Sequence, residues 1–449
     1  MCAYNWEEFS LLLNEKSSLS DFSGSLTGVA VDSRDVKPGN VFFALDGART
    51  DGHLFLEEVS KKGAAAAVVK KTYSGPKFGL VLFYVDDPLV SLQNAAKRWL
   101  AKSPAKVVAV TGSLGKTSTK GFLFSILKAK FNVSTTSGSK NSQIGLALAI
   151  LNETRGDEDY LVLEMGMSAA GHIKKLVDIA PPHLALITSI ELVHSENFDA
   201  IEDIAKAKAE IFSHPKTEKV IINQDSNCAS DLLNLVPCEK ESYSLRGDAR
   251  AKWTMNVTAN GMEFCENGEK VVFPFLNLQA EHMYMNLLAA VGCARSLGMS
   301  FAEIQGALGE VCLPEKRLQE IEKKGVVFIN DAYNAAEASM KGALDVIRKR
   351  NSGNRKIAIL GHMRELGKFS DGCHRRVGEF ALSCVDTVIC LGENCKPLVE
   401  AWQEANKPVH WFLQFDEMMQ HIHKEIRPGD LVLVKGARSL QLEKIIESF

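Results

Sequence analysis

The sequence lacks the features of a secreted, membrane-spanning or nucleic-acid-binding protein. Its ten cysteines form no Cys-x-x-Cys pair and follow no regular spacing, which indicates reduced residues of a cytoplasmic protein. No apolar segment approaches the roughly 20 residues that a membrane span needs, and residues 1–10 contain no apolar signal segment. The net charge is only −3 and no long basic run is present, which argues against nucleic acid as the main partner. We therefore expect a cytoplasmic protein without a membrane span or a secretory signal.

Length and patterning predict an α/β fold of three domains. The chain has 449 residues, of which 46% are hydrophobic and 24% charged, as in ordinary soluble proteins with well-filled cores. Short apolar strands alternate with helical stretches. We expect a small N-terminal α/β domain (1–104), a central doubly wound parallel sheet (105–312) and a C-terminal Rossmann-like domain (313–449). Segment 241–279 is predicted to be a small antiparallel insert in the central domain.

The stretch VVAVTGSLGKTSTKGFL, residues 107–123, resembles a phosphate-binding loop that lacks its first glycine. The pattern G-x-x-x-x-G-K-[ST] would place that glycine at position 110, where this chain has valine. The rest of the stretch still has the features that a phosphate-binding loop requires. An apolar strand leads into the turn, Gly112 and Gly115 permit a tight backbone bend, and Lys116 supplies a positive charge.

The helix predicted after this turn would direct its positive end toward a bound phosphate, and Thr117 would offer a hydroxyl to Mg²⁺. The alternative is a plain glycine turn with a surface lysine. The order of strand, two glycines, Lys-Thr and helix favours the phosphate site.

Other polar residues follow predicted strands. In open α/β sheets, ligand-binding and catalytic residues lie beyond the carboxyl ends of the strands. Glu164 ends the strand YLVLE as a magnesium-side acid does, although a solvated carboxylate fits equally well. His194 lies in a loop, where histidines are more often structural, and by spacing alone Lys208 is one of several surface charges on a helix. Asp331 ends the strand VVFIND. None of these residues singly identifies a reaction.

Together these segments resemble the Mur ligase family, ATP-dependent amide-bond-forming enzymes of bacterial cell-wall precursor synthesis. The short loop TGSLGKT is that family's form of the phosphate loop, and the likeness covers essentially the whole chain. Further family-like segments are LEMGMSAAGHI (163–173), ITSIELVHSENF (187–198), IAKAKAEIF (204–212), AEHMYMNLLAA (280–290), PEKRLQEIE (314–322) and INDAYNAAEASM (329–340).

The resemblance implies ATP, two Mg²⁺ ions and a carbamate on Lys208 as cofactors. The implied catalytic residues are Lys116, Lys208, His194 and Glu164. The implied ATP-binding residues are Gly112, Ser113, Gly115, Lys116, Thr117, Ser118, His282, Asn286, Arg317 and Asp331. The implied metal ligands are Thr117, Glu164, His194 and the carbamate of Lys208.

Within the family, the likeness is to the enzymes that add D-alanyl-D-alanine to UDP-MurNAc-tripeptide through an acyl phosphate. Segment 30–69 resembles their UDP-binding first domain, and the resemblance implies UDP-substrate contacts by Ser33, Gly47, Arg49, Asp51 and His53. The segments DAYNAAEAS, ILGHMRELG and VLVKGARS point to the same enzymes and imply D-Ala-D-Ala binding by Asn334 and Ser339 in the third domain. Because these ligases are usually monomers, we expect a monomer.

Several residues depart from the family's usual pattern: Ala280, Met283, Lys316, Ala336, Glu337, His362 and Ala437. A folylpolyglutamate synthase-like ligase is the alternative, since it uses a similar short loop, but the UDP-type first domain argues against it. A regulatory GTPase is a second alternative, which the lack of an Asn-Lys-x-Asp motif disfavours.

Overall fold

The computed structural model describes residues 4–14, 25–47, 50–138, 140–193, 195–276, 278–311, 316–350 and 355–449. Within these residues it contains three sheets, one in each of the three predicted domain ranges. The mixed α/β class is therefore confirmed. None of the described helices is both long and apolar enough to cross a membrane.

The N-terminal sheet is parallel, with its four strands in chain order. The strands are β1 (Val29–Ala30), β2 (Val41–Phe43), β3 (Ala66–Lys70) and β4 (Val81–Val85), and the helices are α1 (Trp6–Leu13), α2 (Leu56–Lys61) and α3 (Pro88–Lys102). Helix α3 begins sharply because Pro88 fits the first helical position and the Asp87 carboxylate accepts hydrogen bonds from two backbone N–H groups.

The central sheet has nine strands in the order β13-β12-β11-β10-β9-β8-β5-β7-β6. The strands are β5 (Lys106–Thr111), β6 (Val133–Thr135), β7 (Tyr160–Glu164), β8 (Leu184–Ile187), β9 (Lys219–Asn223), β10 (Glu239–Ser244), β11 (Trp253–Thr258), β12 (Gly261–Glu266) and β13 (Glu269–Phe273). The helices are α4 (Lys116–Leu127), α5 (Gln143–Glu153), α6 (His172–Ile179), α7 (Ile201–Ala209), α8 (Ala229–Leu235), α9 (Glu281–Ser296) and α10 (Phe301–Ala307).

The segment predicted as a small antiparallel insert is part of this central sheet. Strand β10 pairs in parallel with both β9 and β11, and only β11, β12 and β13 pair antiparallel with one another. The segment therefore extends the sheet, because β10 pairs with β9 and β11 pairs with β10, which satisfies backbone groups that a free edge would expose.

The C-terminal sheet has six strands in the order β14-β15-β19-β16-β17-β18, and only β14 runs antiparallel to its neighbour. The strands are β14 (Gln319–Lys323), β15 (Val326–Asn330), β16 (Lys356–Gly361), β17 (Thr387–Leu391), β18 (Val409–Phe412) and β19 (Leu431–Lys435). The helices are α11 (Glu337–Lys349), α12 (Ser370–Ala381), α13 (Lys396–Glu404), α14 (Phe415–Glu425) and α15 (Glu443–Glu447).

Hydrogen bonds join the N-terminal part of the chain to the central part. The Asn152 side chain accepts from Val29 N (2.8 Å) and donates to Val29 O (2.9 Å), and so substitutes for a neighbouring strand at β1. The Trp99 indole N–H donates to Thr154 Oγ1 (2.7 Å). One apolar core includes side chains of both parts. The first sheet is thus fixed to helix α5, which follows the phosphate-type loop.

Candidate active site

The phosphate-type loop lies at the switch point of the central sheet. Strand β5 has β7 on one side and β8 on the other, so the loop after β5 opens into the crevice where open α/β sheets bind ligands. Gly112 has φ +148° and Gly115 has φ +83°, and a Cβ would overlap Thr188 Oγ1 at the first and Asn286 Oδ1 at the second. Both positions therefore require glycine.

The loop is held by residues that follow strand β8, and the sequence analysis did not identify them. Ser113 N donates to Ser189 O (2.7 Å), and Leu114 N donates to Ser189 Oγ (3.0 Å). The Thr188 hydroxyl donates to Leu114 O (2.5 Å). These two loop N–H groups are thus used internally. Thr188 and Ser189 directly follow strand β8 at the switch point, and this position in the sequence could have identified them as site residues.

Lys116 begins helix α4 and its side chain folds back over the loop. Its Nζ donates to Gly112 O (2.9 Å) and to Ser113 O (3.1 Å). Burial lowers the pKa of Lys116, with Glu164 opposing this shift and Arg317 adding to it. The Lys116 ammonium group therefore lies over the loop. The positive charge of Arg317, in the C-terminal domain, is close enough to lower the pKa of Lys116.

Thr117 and Glu164 form a pair suited to an oxygen-binding cation. The Thr117 hydroxyl donates to Glu164 Oε2 (2.9 Å), and Asn141 Nδ2 donates to Glu164 Oε1 (2.6 Å). Glu164 is buried at the end of β7, so the alternative of a solvated strand-end carboxylate is wrong. Asn141 was missed in the sequence, where it lies in a polar stretch without a strand-end position.

A second lysine of helix α4 supports Asn141. Buried Lys120 donates from Nζ to Thr136 O (2.5 Å), Thr136 Oγ1 (3.1 Å) and Gly138 O (2.6 Å). These bonds fix the backbone shortly before Asn141. The Ser118 hydroxyl on the same helix is buried and has no hydrogen-bond partner among the described residues.

Lys208 is buried, which corrects the expectation from spacing alone that it is a surface charge. It is 3% exposed, whereas Lys206 on the same helix is exposed and pairs with Asp203 (3.6 Å). Within the described part of the chain, no carboxylate forms an ion pair with Lys208. Burial and the nearby Lys116 ammonium hold the pKa of Lys208 well below its usual range. His194, expected beside it, lies outside the described residues.

The nucleotide-side residues come from α9 and from the C-terminal domain. His282 is exposed on α9, and the protein atoms around its ring lower its pKa. Asn286 adjoins Gly115. The Arg317 guanidinium lies 4.5 Å from the centre of the Tyr333 ring. Asp331 is buried, pairs with Lys435 and accepts from Leu318 N (3.2 Å).

The expected UDP-substrate residues are largely bonded within the first domain. His53 Nε2 accepts from Lys70 N (3.0 Å), and His53 Nδ1 lies 2.6 Å from Asp51 Oδ1. Buried Ser33 accepts at its carbonyl from Lys62 Nζ (2.8 Å), and Gly47 N donates to Thr50 O (2.9 Å). These contacts shape the surface. Arg49 lies outside the described residues.

The two expected amine-substrate residues lie at the start of helix α11. Asn334 is exposed, and its carbonyl accepts from Lys435 Nζ (3.0 Å). The Ser339 hydroxyl accepts from Ala336 N (3.0 Å) and donates to Ala336 O (2.9 Å). Ser339 therefore also closes the first turn of the helix.

Known proteins resemble this chain along nearly all of its length. Three family descriptions match it: the Mur ligase middle domain (110–294), the Mur ligase glutamate ligase domain (316–438) and the Mur ligase family catalytic domain (25–78). The UDP-N-acetylmuramoyl-tripeptide–D-alanyl-D-alanine ligase of Bacillus subtilis is 32% identical over 426 residues, which are 94% of this chain and 92% of the relative. This chain belongs to the Mur ligase family.

Solved structures of Mur ligases have the same fold. A crystal structure of MurF from Acinetobacter baumannii matches with a TM-score of 0.86 and 26% identity, over 100% of this chain and 99% of that one. MurF ligase from Thermotoga maritima in complex with ADP matches with a TM-score of 0.77 and 27% identity, over 94% of this chain and 96% of that one.

Glu337 and Lys316, two of the residues that depart from the usual Mur ligase pattern, form ion pairs within the C-terminal domain. Glu337 accepts from Arg376 Nη2 (2.6 Å) and Lys341 Nζ (2.8 Å). Burial opposes its ionisation, but these hydrogen bonds outweigh burial and lower the pKa of Glu337 to about 2. Lys316 donates to Glu443 Oε1 (2.9 Å). The departures are thus integrated into ion pairs of the C-terminal domain.

Proposed function

We propose that this chain joins D-alanyl-D-alanine to the terminal carboxylate of UDP-N-acetylmuramoyl-tripeptide, with conversion of ATP to ADP and phosphate. The substrate carboxylate attacks the γ-phosphate to give an acyl phosphate, and the amine of the dipeptide then displaces phosphate. The first domain would bind the UDP end, the central domain ATP, and the C-terminal domain the dipeptide, with boundaries near 104 and 312. The 32% identity with the B. subtilis ligase, over an alignment that covers 94% of this chain, supports this substrate pair over folate and glutamate.

Phosphoryl transfer depends on positioning and on neutralisation of charge. Lys116 would exchange its bonds to loop carbonyls for bonds to the β- and γ-phosphates. The Ser118 hydroxyl, buried without a partner in the described structure, is suited to donate to phosphate. Arg317 would contact the nucleotide from the C-terminal domain, with His282 and Asn286 of α9 on the side of the loop and Asp331 near the ribose.

The residues present fit magnesium. Thr117 and Glu164 offer a hydroxyl and a carboxylate oxygen, which are ligands that Mg²⁺ prefers, and Asn141 fixes the carboxylate orientation. Two Mg²⁺ ions would supply charge neutralisation for the phosphates and for the attacking carboxylate. The roles of His194 as a ligand and of Ser113 and the loop glycines in ATP binding rest on the family likeness.

Lys208 fits a carbamate better than an ammonium group. Its amine is buried beside Lys116, and its pKa is lowered, so the neutral form that reacts with CO₂ is accessible. The carbamate reverses the charge and offers oxygens to magnesium. The burial of Lys208 without a described carboxylate partner, close enough to Lys116 for that charge to lower its pKa, is the structural observation that supports the carbamate.

The UDP end would lie on the surface shaped by Ser33, Gly47, Asp51 and His53, together with Arg49. The dipeptide would lie beside Asn334 and Ser339 at the start of α11. We further propose a cytoplasmic monomer without a nucleic-acid partner; size-exclusion chromatography with light scattering tests the monomer.

The deciding experiment is phosphate release from ATP in the presence of defined UDP-MurNAc-tripeptide, with and without D-Ala-D-Ala. We expect sustained release, and formation of the pentapeptide product, only when both substrates are present. Release that depends on folate and glutamate instead would establish the folylpolyglutamate alternative.

A further inference from the structure

A second cluster of metal-type ligands lies in the C-terminal domain, at the edge of its sheet. Strand β18 is an edge strand, and helix α14 packs against it. His410 belongs to β18, whereas His421 and Glu425 belong to α14. One ligand atom from each of these three side chains lies within 4.8 Å of the other two. None of the three belongs to the nucleotide site described above.

The local structure directs these side chains toward one another. His421 and Glu425 are four residues apart on a helix and share one face, while His410 and Phe412 share one side of the strand. The His421 ring centre lies 4.1 Å from that of His410 and 5.3 Å from that of Phe412. Two imidazoles therefore meet between helix and strand, next to an apolar ring.

A nitrogen atom of this cluster has no hydrogen bond. His421 Nε2 is buried and has no partner among the described residues. Buried polar atoms of native proteins nearly always have a partner, so an exception requires an explanation. A metal ion that accepts a nitrogen lone pair would provide one.

The carboxylate is held in place by an arginine. Arg355 Nη1 donates to Glu425 Oε1 (2.5 Å), and Arg355 Nη2 donates to the Glu425 carbonyl (2.7 Å). No hydrogen bond to Glu425 Oε2 is formed within the described ranges. Metal-binding carboxylates commonly have such an outer hydrogen bond, which orients the free oxygen.

We propose that His410, His421 and Glu425 form a site for a divalent transition-metal ion, with zinc as the ion whose chemistry fits best. Two imidazole nitrogens and one carboxylate oxygen are a typical zinc ligand set, with water in the fourth position. Magnesium prefers oxygen ligands, so this site differs from the ATP site. In tetrahedral geometry, bonds of about 2.0–2.2 Å separate two ligand atoms by about 3.5 Å, so side-chain movements of about 1 Å complete the site. The bound ion would link α14 to the edge strand.

The test is calorimetric titration of chelator-treated protein with Zn²⁺ in excess Mg²⁺, which fills the oxygen-rich site. The variants are His410→Gln and His421→Gln. The control is His423→Gln on the same helix, an exposed residue whose ring faces Phe449. Background zinc binding is expected at the partly exposed thiols of Cys228, Cys238 and Cys265 and at the cluster of Asp46, Asp51 and His53, so the comparison between variants decides.

We expect the parent and His423→Gln to bind one more zinc ion than the two test variants, or to bind it at least about tenfold more tightly. Zinc should raise the Tm of the parent and the control, and of neither test variant. Unfolding without zinc checks that each variant is folded. If one of the two test variants is not folded, the other test variant decides. Equal zinc binding by all four proteins, or no binding by the parent, would overturn the proposal.

Discussion

Lys208 combines burial with a lack of any described carboxylate partner, which is unfavourable for an ammonium ion. Such a position suits a neutral lysine or a lysine derivative, because neither of them carries a buried, unpaired positive charge. We expect Lys208→Ala to reduce the ligation rate about 100-fold or more, since preorganised charge at the reacting phosphate is lost. Lys206→Ala, on the same helix but exposed, should change it little.

The measurements for this prediction are steady-state phosphate release and carbon-13 spectroscopy of protein in labelled bicarbonate. A carbamate signal should be present in the parent and in Lys206→Ala and absent in Lys208→Ala, and a small added carboxylic acid should restore part of the lost activity. Full activity of Lys208→Ala would refute the carbamate.

The lowered pKa of Lys208 also predicts how stability depends on pH. The unfolded chain has a lysine pKa of about 10.4, and folding lowers it, so between the two pKa values the unfolded state binds more protons and stability rises with pH. Lys208→Met removes this penalty. In CO₂-depleted, ligand-free solution it should therefore stabilise the protein at neutral pH, and the gain should shrink toward pH 10.

Urea unfolding at both pH values measures this effect, with Lys206→Met as the control, for which no such pH-dependent gain is expected. A Lys208→Met gain that stays constant from neutral pH to pH 10 would show that the burial penalty does not arise from protonation.

Single residues were predictable from the sequence where backbone geometry restricts the choice. The two loop glycines, Lys116 and Thr117 follow from local spacing. The burial of Lys208 could not be predicted from local spacing. It depends on which segments pack over its helix, and those segments are distant in the chain. Asn141 was missed for the same reason, since only the fold brings it to Glu164.

At the scale of elements, the loop and helix α4 contain two glycines with opposite expected behaviour. Gly115 has φ +83°, and a Cβ there would overlap Asn286, whereas a Cβ at Gly121, inside the helix, would have no atom within 4 Å. Gly121→Ala should raise the free energy of unfolding by about 0.5–1 kcal/mol and leave activity unchanged. Gly115→Ala should weaken ATP binding about tenfold or more, because strain moves the loop.

Calorimetric titration with an ATP analogue and urea unfolding measure both effects. Unchanged nucleotide affinity in Gly115→Ala would show that the loop backbone does not hold the phosphates.

Helix α11 offers a test of whether one serine has two roles. The Ser339 hydroxyl bonds to both backbone groups of Ala336, so Ser339→Ala should lower the free energy of unfolding by about 1 kcal/mol. If the hydroxyl also contacts the dipeptide, the KM for D-Ala-D-Ala should rise while the KM for ATP stays constant. Ser339→Thr, which keeps the hydroxyl, is the control. An unchanged KM for D-Ala-D-Ala in Ser339→Ala would restrict Ser339 to the helix.

The positions of individual strands were easier to predict than the pairing between strands. The strands predicted at YLVLE and VVFIND are found as β7 and β15, because continuous apolar, β-branched runs identify buried parallel strands. The extension of the central sheet by β10 to β13 was missed, since alternation predicts hairpins and not the strand to which they attach.

At the scale of the whole molecule, one polar contact between the central and C-terminal domains lies next to residue 194. Glu196 N donates to Glu365 O (3.1 Å), the Ser195 hydroxyl donates to Leu366 O (3.2 Å), and Lys368 pairs with Asp199 (3.1 Å). The contact lies next to the segment of the expected metal ligand His194. We therefore expect docking of the C-terminal domain to help position the segment 195–199.

The last prediction concerns domain closure, which would keep water from the acyl phosphate. Gly367 has φ +51°, and a Cβ there would lie 2.8 Å from Glu196 Cα. Gly367→Val should therefore separate the two domains at this contact and lower kcat about 10- to 100-fold, with UDP-substrate affinity unchanged. Small-angle scattering of the parent should show compaction with an ATP analogue and UDP-substrate, and Gly367→Val should compact less. Gly306→Ala, at a helical position with open space around the added Cβ, is the control. Identical scattering of the parent with and without ligands would instead indicate a permanently assembled site, and an unchanged kcat in Gly367→Val would show that this contact does not guide closure.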